Sequence, residues 1–483
     1  MAAQVLLCAA LVWLYPLGAG LLKPRHTWAM QTDANGFSLL LHVAIYAGLL
    51  LCWWLQLRWL SFWSAQWVWL SWLLCSLVLL FSFPGESADV FDYLFRGRML
   101  VEYGYSPLNT TPYQLHDFPF HRYVSWSEWV DAYGPIWEYA SAGIAWVVRT
   151  VATTADLGVT NNQVCSIQPT LCIYLIKYVS AYRLCAIALT GACAWLIGRL
   201  VPNEHKATAW ATFLLNPLTL IATAVGAHNE PLLIIFILLA LHAFKRTQYG
   251  SGLLLLVLAA HVKITGLLVL PVCAIWLIHR VGWRHTLTLL LGVGVIGLAL
   301  SWVLYAPLGG WATLPRNLSE RALLSTNSWG ELLYLALREG WGWTRFTAQQ
   351  VVAKAAPLAF VVLSVPALLL WLRRTAIELS TLAKRLGMVV LLYLWVGSYW
   401  FQPWYVLWPL ALLCVVPGQV WAKRIAVPFG VAALVSTVTT DYLRNATLPS
   451  VNGWLISLLA VMIIIVPVFV QIIRQQHDSL TRL

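Results

Sequence analysis

The stretch GESADVFDYLFRGRMLVEYGYSPL, residues 85–108, decides how this chain is organised. It follows an apolar run long enough to cross a bilayer. It carries six charged residues in a chain where only 10% are charged. Helical spacing puts Asp89, Tyr93 and Arg96 at i, i+4 and i+7, on one face. Asp92 and Arg96 form an i, i+4 ion pair. Ser87 or Asp89 acting as an N-cap, with the helix dipole favouring a carboxylate, accounts for one acid. It does not account for Glu86, Asp89 and Asp92 together at the exit of a span. Asp89 is therefore a candidate functional acid, with Asp92, Tyr93 and Arg96 beside it. The turn Gly104-Tyr105-Ser106-Pro107 then leads the chain away.

The rest of the chain fixes the setting. Its 483 residues are 60% hydrophobic, and the mean hydropathy is +0.75. A soluble domain is about half apolar and about a quarter charged. The sequence reads as an all-α polytopic membrane protein, with residues 1–483 as a single transmembrane domain. Apolar windows able to cross a ~30 Å hydrocarbon core fall near 5–22, 37–57, 64–83, 173–198, 207–227, 231–244, 250–262, 264–279, 286–308, 350–372, 386–402, 404–421, 425–440 and 453–473. They predict about 12–14 transmembrane helices. The first window lacks a basic leader and a small-residue cleavage site, so it reads as a retained span.

The formal net charge is +12. With the N-terminus in the cytoplasm, fifteen basic residues fall on the cytoplasmic side against three acids. The whole positive excess then lies on one face, as the positive-inside rule requires. This explains the charge without nucleic acid as a partner. Lys23 and Arg25 are the exception. Both termini are expected in the cytoplasm. Residues 84–172 become the first large external loop, holding nine of the 18 acids. The apolar stretch 136–151 within it reads as an interfacial helix, because a span there would invert every later loop. Residues 309–349 form a second external loop.

Cys165 and Cys172 are seven apart in the polar part of the first loop, which makes them a disulfide candidate on an oxidising face. No CxxC, zinc spacing, GxGxxG or P-loop occurs. No cofactor is required by any motif, and no ligand spacing supports a divalent metal.

The motif series resembles the GT-C superfamily of integral-membrane glycosyltransferases, especially the mannosyltransferases that use a polyprenyl-phosphate sugar. Asp89, Tyr93, Gly97-Arg98, Gly104 and Pro107 match the acid, tyrosine, Gly-Arg step and turn outside an early span. Ser106 stands where that pattern has Asn. Tyr133-Gly134-Pro135 matches its entrance to an interfacial helix. NPLTLIATAVGAHNEPLL (residues 216–233), HVKITGLLVLP (261–271) and FQPWYVLWPL (401–410) follow in the family's order. The resemblance implies a GT-C-like bundle with a long external loop carrying juxtamembrane helices. It implies a catalytic aspartate, here Asp89, as general base for an acceptor hydroxyl. Lys263 is the candidate for stabilising the leaving phosphate, and His261 beside it is a further substrate-binding candidate. Arg183 is a further substrate-binding candidate, because an arginine inside a span costs about 3 kcal/mol. His228 and Glu230 open a span from outside and join Tyr133 as candidates.

The implied reaction passes a sugar, mannose by resemblance, from a polyprenyl-phosphate carrier to a glycan or lipid acceptor, with inversion. Membrane lipids are the remaining partners, and the bacterial plasma membrane is the expected location. The alternative is a multi-pass transporter or lipid flippase. Transporters usually show repeat symmetry and broken helices near mid-membrane, whereas polar residues here gather on one face and in one loop.

Overall fold

The computed structural model describes residues 2–22, 36–59, 64–321, 324–373, 378–419, 422–442 and 453–480. Lys23 and Arg25 lie outside these. Among the described residues the protein is helical throughout. Its only extended pairings are two isolated bridges, Pro16 with Ser82 and Thr326 with Trp400. It is an all-α polytopic membrane protein.

Among the described residues, six helices are long and apolar enough to cross a membrane: Leu40–Arg58, Pro169–Leu200, Ile264–Val281, Trp283–Leu308, Arg345–Arg373 and Leu379–Gly397. A bent pair, Asn203–Leu214 with Pro217–Val225, makes a seventh if taken as one span. Other apolar windows of the sequence become shorter helices, such as Ala2–Leu14, Ala65–Leu79 and Tyr249–Val262. Thirteen helical residues rise only about 20 Å, less than the hydrocarbon thickness. Length alone therefore supports fewer spans than the windows suggested.

The bent pair breaks by 58° at Asn216-Pro217. Pro217 has no N–H to give, and Asn216 Oδ1 accepts from the Leu218 N–H at 3.0 Å, so a new helix starts there. Beyond it, Glu230–Lys245 and Tyr249–Val262 form a tight antiparallel hairpin. Gly252 sits against Phe244, where a Cβ would lie 2.2 Å from the ring.

The two longer helices between the early spans and Pro169–Leu200 are Asp89–Glu102 and Pro135–Thr150. The first is buried from Val90 to Met99. Its contact with the second is polar as well as apolar: Ser141 Oγ donates to the Tyr93 carbonyl at 2.9 Å. The loop that joins the two returns onto the end of the helical hairpin. There the Gly134 N–H donates to the Val262 carbonyl at 2.9 Å. A Cβ on Gly134 would lie 2.1 Å from the His261 carbonyl oxygen, so only glycine allows this approach. The disulfide Cys165–Cys172, with Cα atoms 4.8 Å apart, ties down the approach to Pro169–Leu200.

Candidate active site

Asp89 begins its helix without serving as a cap. Its own N–H donates to Ser87 Oγ at 3.2 Å, so the serine closes the helix end and the carboxylate is left over. That carboxylate is only 16% exposed. Its protein partners are loose: Tyr93 Oη and Trp126 Nε1 both donate to it at 3.4 Å. His228 Nδ1 stands 3.6 Å away. Burial, reinforced by the negative charge of Glu230, pushes Asp89 up to about 6. This is an acid whose ionised form is poorly satisfied by the protein.

Asp92, one turn further, has a different environment. It accepts from the Ser125 and Trp126 N–H groups at 3.1 and 3.0 Å. Arg96 lies 4.0 Å from it. Arg96 is buried and turned into the loop, donating to the Trp126 and Trp129 carbonyls at 3.0 and 2.8 Å. Its Nε lies 3.6 Å from Asp131. Asp92 and Arg96 thus build the loop that carries Trp126 and Tyr133, and Arg96 does not join Asp89 and Tyr93 in one cluster. Asp131 Oδ1 shapes the same loop by accepting from the Ala132 N–H at 2.6 Å. Glu138, buried nearby, is raised well above the usual carboxylate range by burial and by Asp131. Asp131 and Glu138 carried no signal in the sequence beyond lying in the acid-rich loop.

A second buried cluster adjoins the first. Lys263 pairs with Glu230. Its ammonium also lies 4.9 Å from the ring centres of Tyr133 and Tyr405 and 5.4 Å from that of Trp408. Such an aromatic box stabilises a cation through the ring quadrupoles. Tyr133 links the clusters, its hydroxyl 3.0 Å from that of Tyr93. His228 closes the other side, stacked on Trp404 with centroids 3.6 Å apart.

The structure thus brings together Asp89, Tyr93, Tyr133, His228, Glu230 and Lys263. Arg183 lies at the ends of two helical segments. Its Nε and Nη1 donate to the Val225 and Leu80 carbonyls at 2.9 and 2.6 Å, while Nη2 has no hydrogen-bond partner among the described residues. His261 turns elsewhere, its Nδ1 2.8 Å from the Val257 carbonyl. Its contribution to the site is its backbone, against Gly134.

The arrangement can remove a proton from a hydroxyl at Asp89 beside buried, partly compensated charge. Residues 2–280 match the family described as alpha-(1->6)-mannopyranosyltransferase, N-terminal domain. The chain belongs to this family. The match contains Asp89, Tyr133, His228, Glu230 and Lys263 and stops before the aromatic segment 401–410. Among its relatives, alpha-(1->6)-mannopyranosyltransferase A of Mycobacterium tuberculosis is 26% identical over 351 residues, covering 69% of this chain and 62% of that protein. Alpha-(1->6)-mannopyranosyltransferase B of Corynebacterium glutamicum is 24% identical over 394 residues, covering 72% and 58%. The chain therefore spans about three fifths of the length of these curated relatives.

Proposed function

We propose that this protein is a membrane mannosyltransferase. It takes mannose from a polyprenyl-phosphate carrier and passes it to a hydroxyl of a glycan or lipid acceptor. The site faces the outside of a bacterial plasma membrane, with residues 84–172 as its outer loop. The donor's lipid stays in the bilayer while its sugar reaches Asp89.

The observation that carries this reading is the state of Asp89. It is nearly enclosed, loosely bonded and pushed up to about 6. A general base works best when its pKa lies near the working pH. In the step, Asp89 takes the acceptor's hydroxyl proton. The oxygen forms a bond to the anomeric carbon as the bond from that carbon to the phosphate oxygen breaks. Polyprenyl phosphate leaves with the electron pair, and single displacement inverts the centre. Tyr93 and Trp126 orient the carboxylate. Lys263 and Arg183 supply positive charge on the leaving-group side. An α-(1→6) linkage is the one the relatives' names carry.

The broken span at Asn216-Pro217 is a feature a transporter would also show. Here its end leads into the turn that sets His228 against Asp89, which favours an enzyme site. The test is mannose transfer in proteoliposomes from radiolabelled polyprenyl-phosphate mannose. The wild type transfers label, and Asp89→Asn loses at least about a hundredfold in rate. A wild type that moves no mannose, or an Asp89→Asn that keeps its rate, removes the reading.

A further inference from the structure

Asn229 lies between His228 and Glu230 and starts the helix Glu230–Lys245. A residue of this type in this position ordinarily caps the helix through its side chain. It does not do so here: no side-chain cap bond is made, and only the Asn229 carbonyl takes part, accepting from the Leu232 N–H at 3.0 Å. The side chain is nonetheless buried, with 1% of the residue exposed. Both amide atoms, Oδ1 and Nδ2, have no hydrogen-bond partner among the described residues. Buried polar groups almost always have partners, and an exception calls for a reason. Three further buried polar atoms nearby share the condition among the described residues: His228 Nδ1 and Glu230 Oε2, on the residues to either side, and Trp404 Nε1, on the ring stacked against His228. Packing and capping explain neither the amide nor this grouping.

An amide is suited to a pair of neighbouring hydroxyls, since Oδ1 accepts from one while Nδ2 donates to the other. His228 Nδ1 stands 3.6 Å from the Asp89 carboxylate, so the turn carrying Asn229 lies against the proposed base. That base serves the acceptor. We propose that Asn229 is a specificity-determining residue, whose side-chain amide holds two neighbouring hydroxyls of the acceptor sugar while a further hydroxyl faces Asp89. The proposal rests on the mannosyltransferase reading.

The test uses the full chain in proteoliposomes, with polyprenyl-phosphate mannose as donor. Octyl α-mannoside and its singly deoxygenated analogues serve as acceptors. Asn229→Ala and the more nearly isosteric Asn229→Leu are compared with wild type. The acceptor KM should rise about tenfold or more in both variants, with the donor KM unchanged. A deoxy acceptor that costs the wild type about tenfold should cost Asn229→Ala nothing further, because the amide that reads the missing hydroxyl is gone. The thermal midpoint of Asn229→Leu, which keeps the shape of the side chain, should not fall, since no hydrogen bond among the described residues is lost. Deoxy penalties that persist in Asn229→Ala overturn the proposal. So does a donor KM that moves in place of the acceptor's, or a lowered midpoint in Asn229→Leu. Binding of octyl α-mannoside by calorimetry gives a second readout, with wild type binding and Asn229→Ala weakened about tenfold. Equal binding by the two overturns the proposal while leaving the mannosyltransferase reading intact. A wild type that transfers no mannose overturns both.

Discussion

At the scale of single residues, Asp89 and Lys263 are held in opposite ways. Asp89 is raised to about 6, against about 3.9 in an unfolded chain. Its ionised form is thus disfavoured by folding, and stability falls as pH rises from about 4 to about 6. Activity runs the other way, because only the carboxylate accepts a proton. kcat/KM for mannose transfer should climb as pH rises through about 6, and a profile flat from about pH 5 to about pH 7 would contradict the assignment. Asp89→Asn should keep or raise the thermal midpoint at neutral pH while losing transfer. A lowered midpoint would mean that the acid is structural. Lys263, by contrast, has a buried partner in Glu230 and three aromatic rings around its ammonium. Removing one member of a buried pair strands the other, at about 3–5 kcal/mol. Glu230→Gln or Lys263→Met should each destabilise the protein by an amount of this order. The double variant should lose less than the two losses combined, as measured by urea unfolding in detergent. Additive losses would show that the two groups do not depend on each other. Part of this was legible in the sequence. Asp89 stood out because a cap explains one acid and not three. Lys263 stood out as a cation between two apolar windows, but its partner lies 33 positions away and no local pattern reveals it. Asn229 was hidden because a capping role is plausible on local grounds, and only the three-dimensional structure shows the cap bond unmade.

At the scale of elements, the apolar windows showed where helices lie, because hydrophobic length is a local property. They did not show which windows fall short of a full span, or that the Asn216-Pro217 helix bends by 58°. The apolar stretch 136–151 was readable as a helix. The structure gives Pro135–Thr150, with one face buried that includes Trp137, Glu138, Ser141 and Ala145. The loop before it was less legible, since its shape depends on Arg96 bonding carbonyls 30 and 33 positions away. That loop carries Trp126 to Asp89 and Tyr133 to Lys263. It is anchored on the helical hairpin at Gly134, against the His261 carbonyl. Gly134→Ala should push the loop off that carbonyl and disturb Trp126 and Tyr133 together. We expect kcat to fall about tenfold or more, with a smaller change at a glycine in open space such as Gly143. Equal behaviour of Gly134→Ala and Gly143→Ala in the transfer assay would show that the close approach does not set the site.

At the scale of the whole molecule, the two ends of the helical bundle differ in chemistry. Asp89, His228, Glu230 and Lys263 meet at one end, joined by the helix ends at Leu80 and Val225 that Arg183 holds. The same helices run to a basic end. Lys245, at the far end of the helix that Glu230 begins, donates to the Arg199 carbonyl at 2.9 Å. His279 Nε2 lies 3.1 Å from the Trp371 carbonyl, next to Arg280 and Arg373. The separation of charge that the sequence showed loop by loop is therefore also a separation along the bundle. On the proposed orientation, which follows the positive-inside rule, the basic end is in the cytoplasm and the Asp89 end is outside. Single cysteines at the two ends test this directly. Asp117, whose side chain is 92% exposed, belongs to the loop at the Asp89 end. Arg246, exposed in the hairpin turn, belongs to the basic end. A membrane-impermeant maleimide applied to intact bacterial spheroplasts should label Asp117→Cys above the parent's background and leave Arg246→Cys at that background. Permeabilised cells should label both. Labelling of Arg246→Cys alone in intact cells would invert the orientation. It would place the Asp89 site in the cytoplasm, where a sugar carried on the outer leaflet could not reach it.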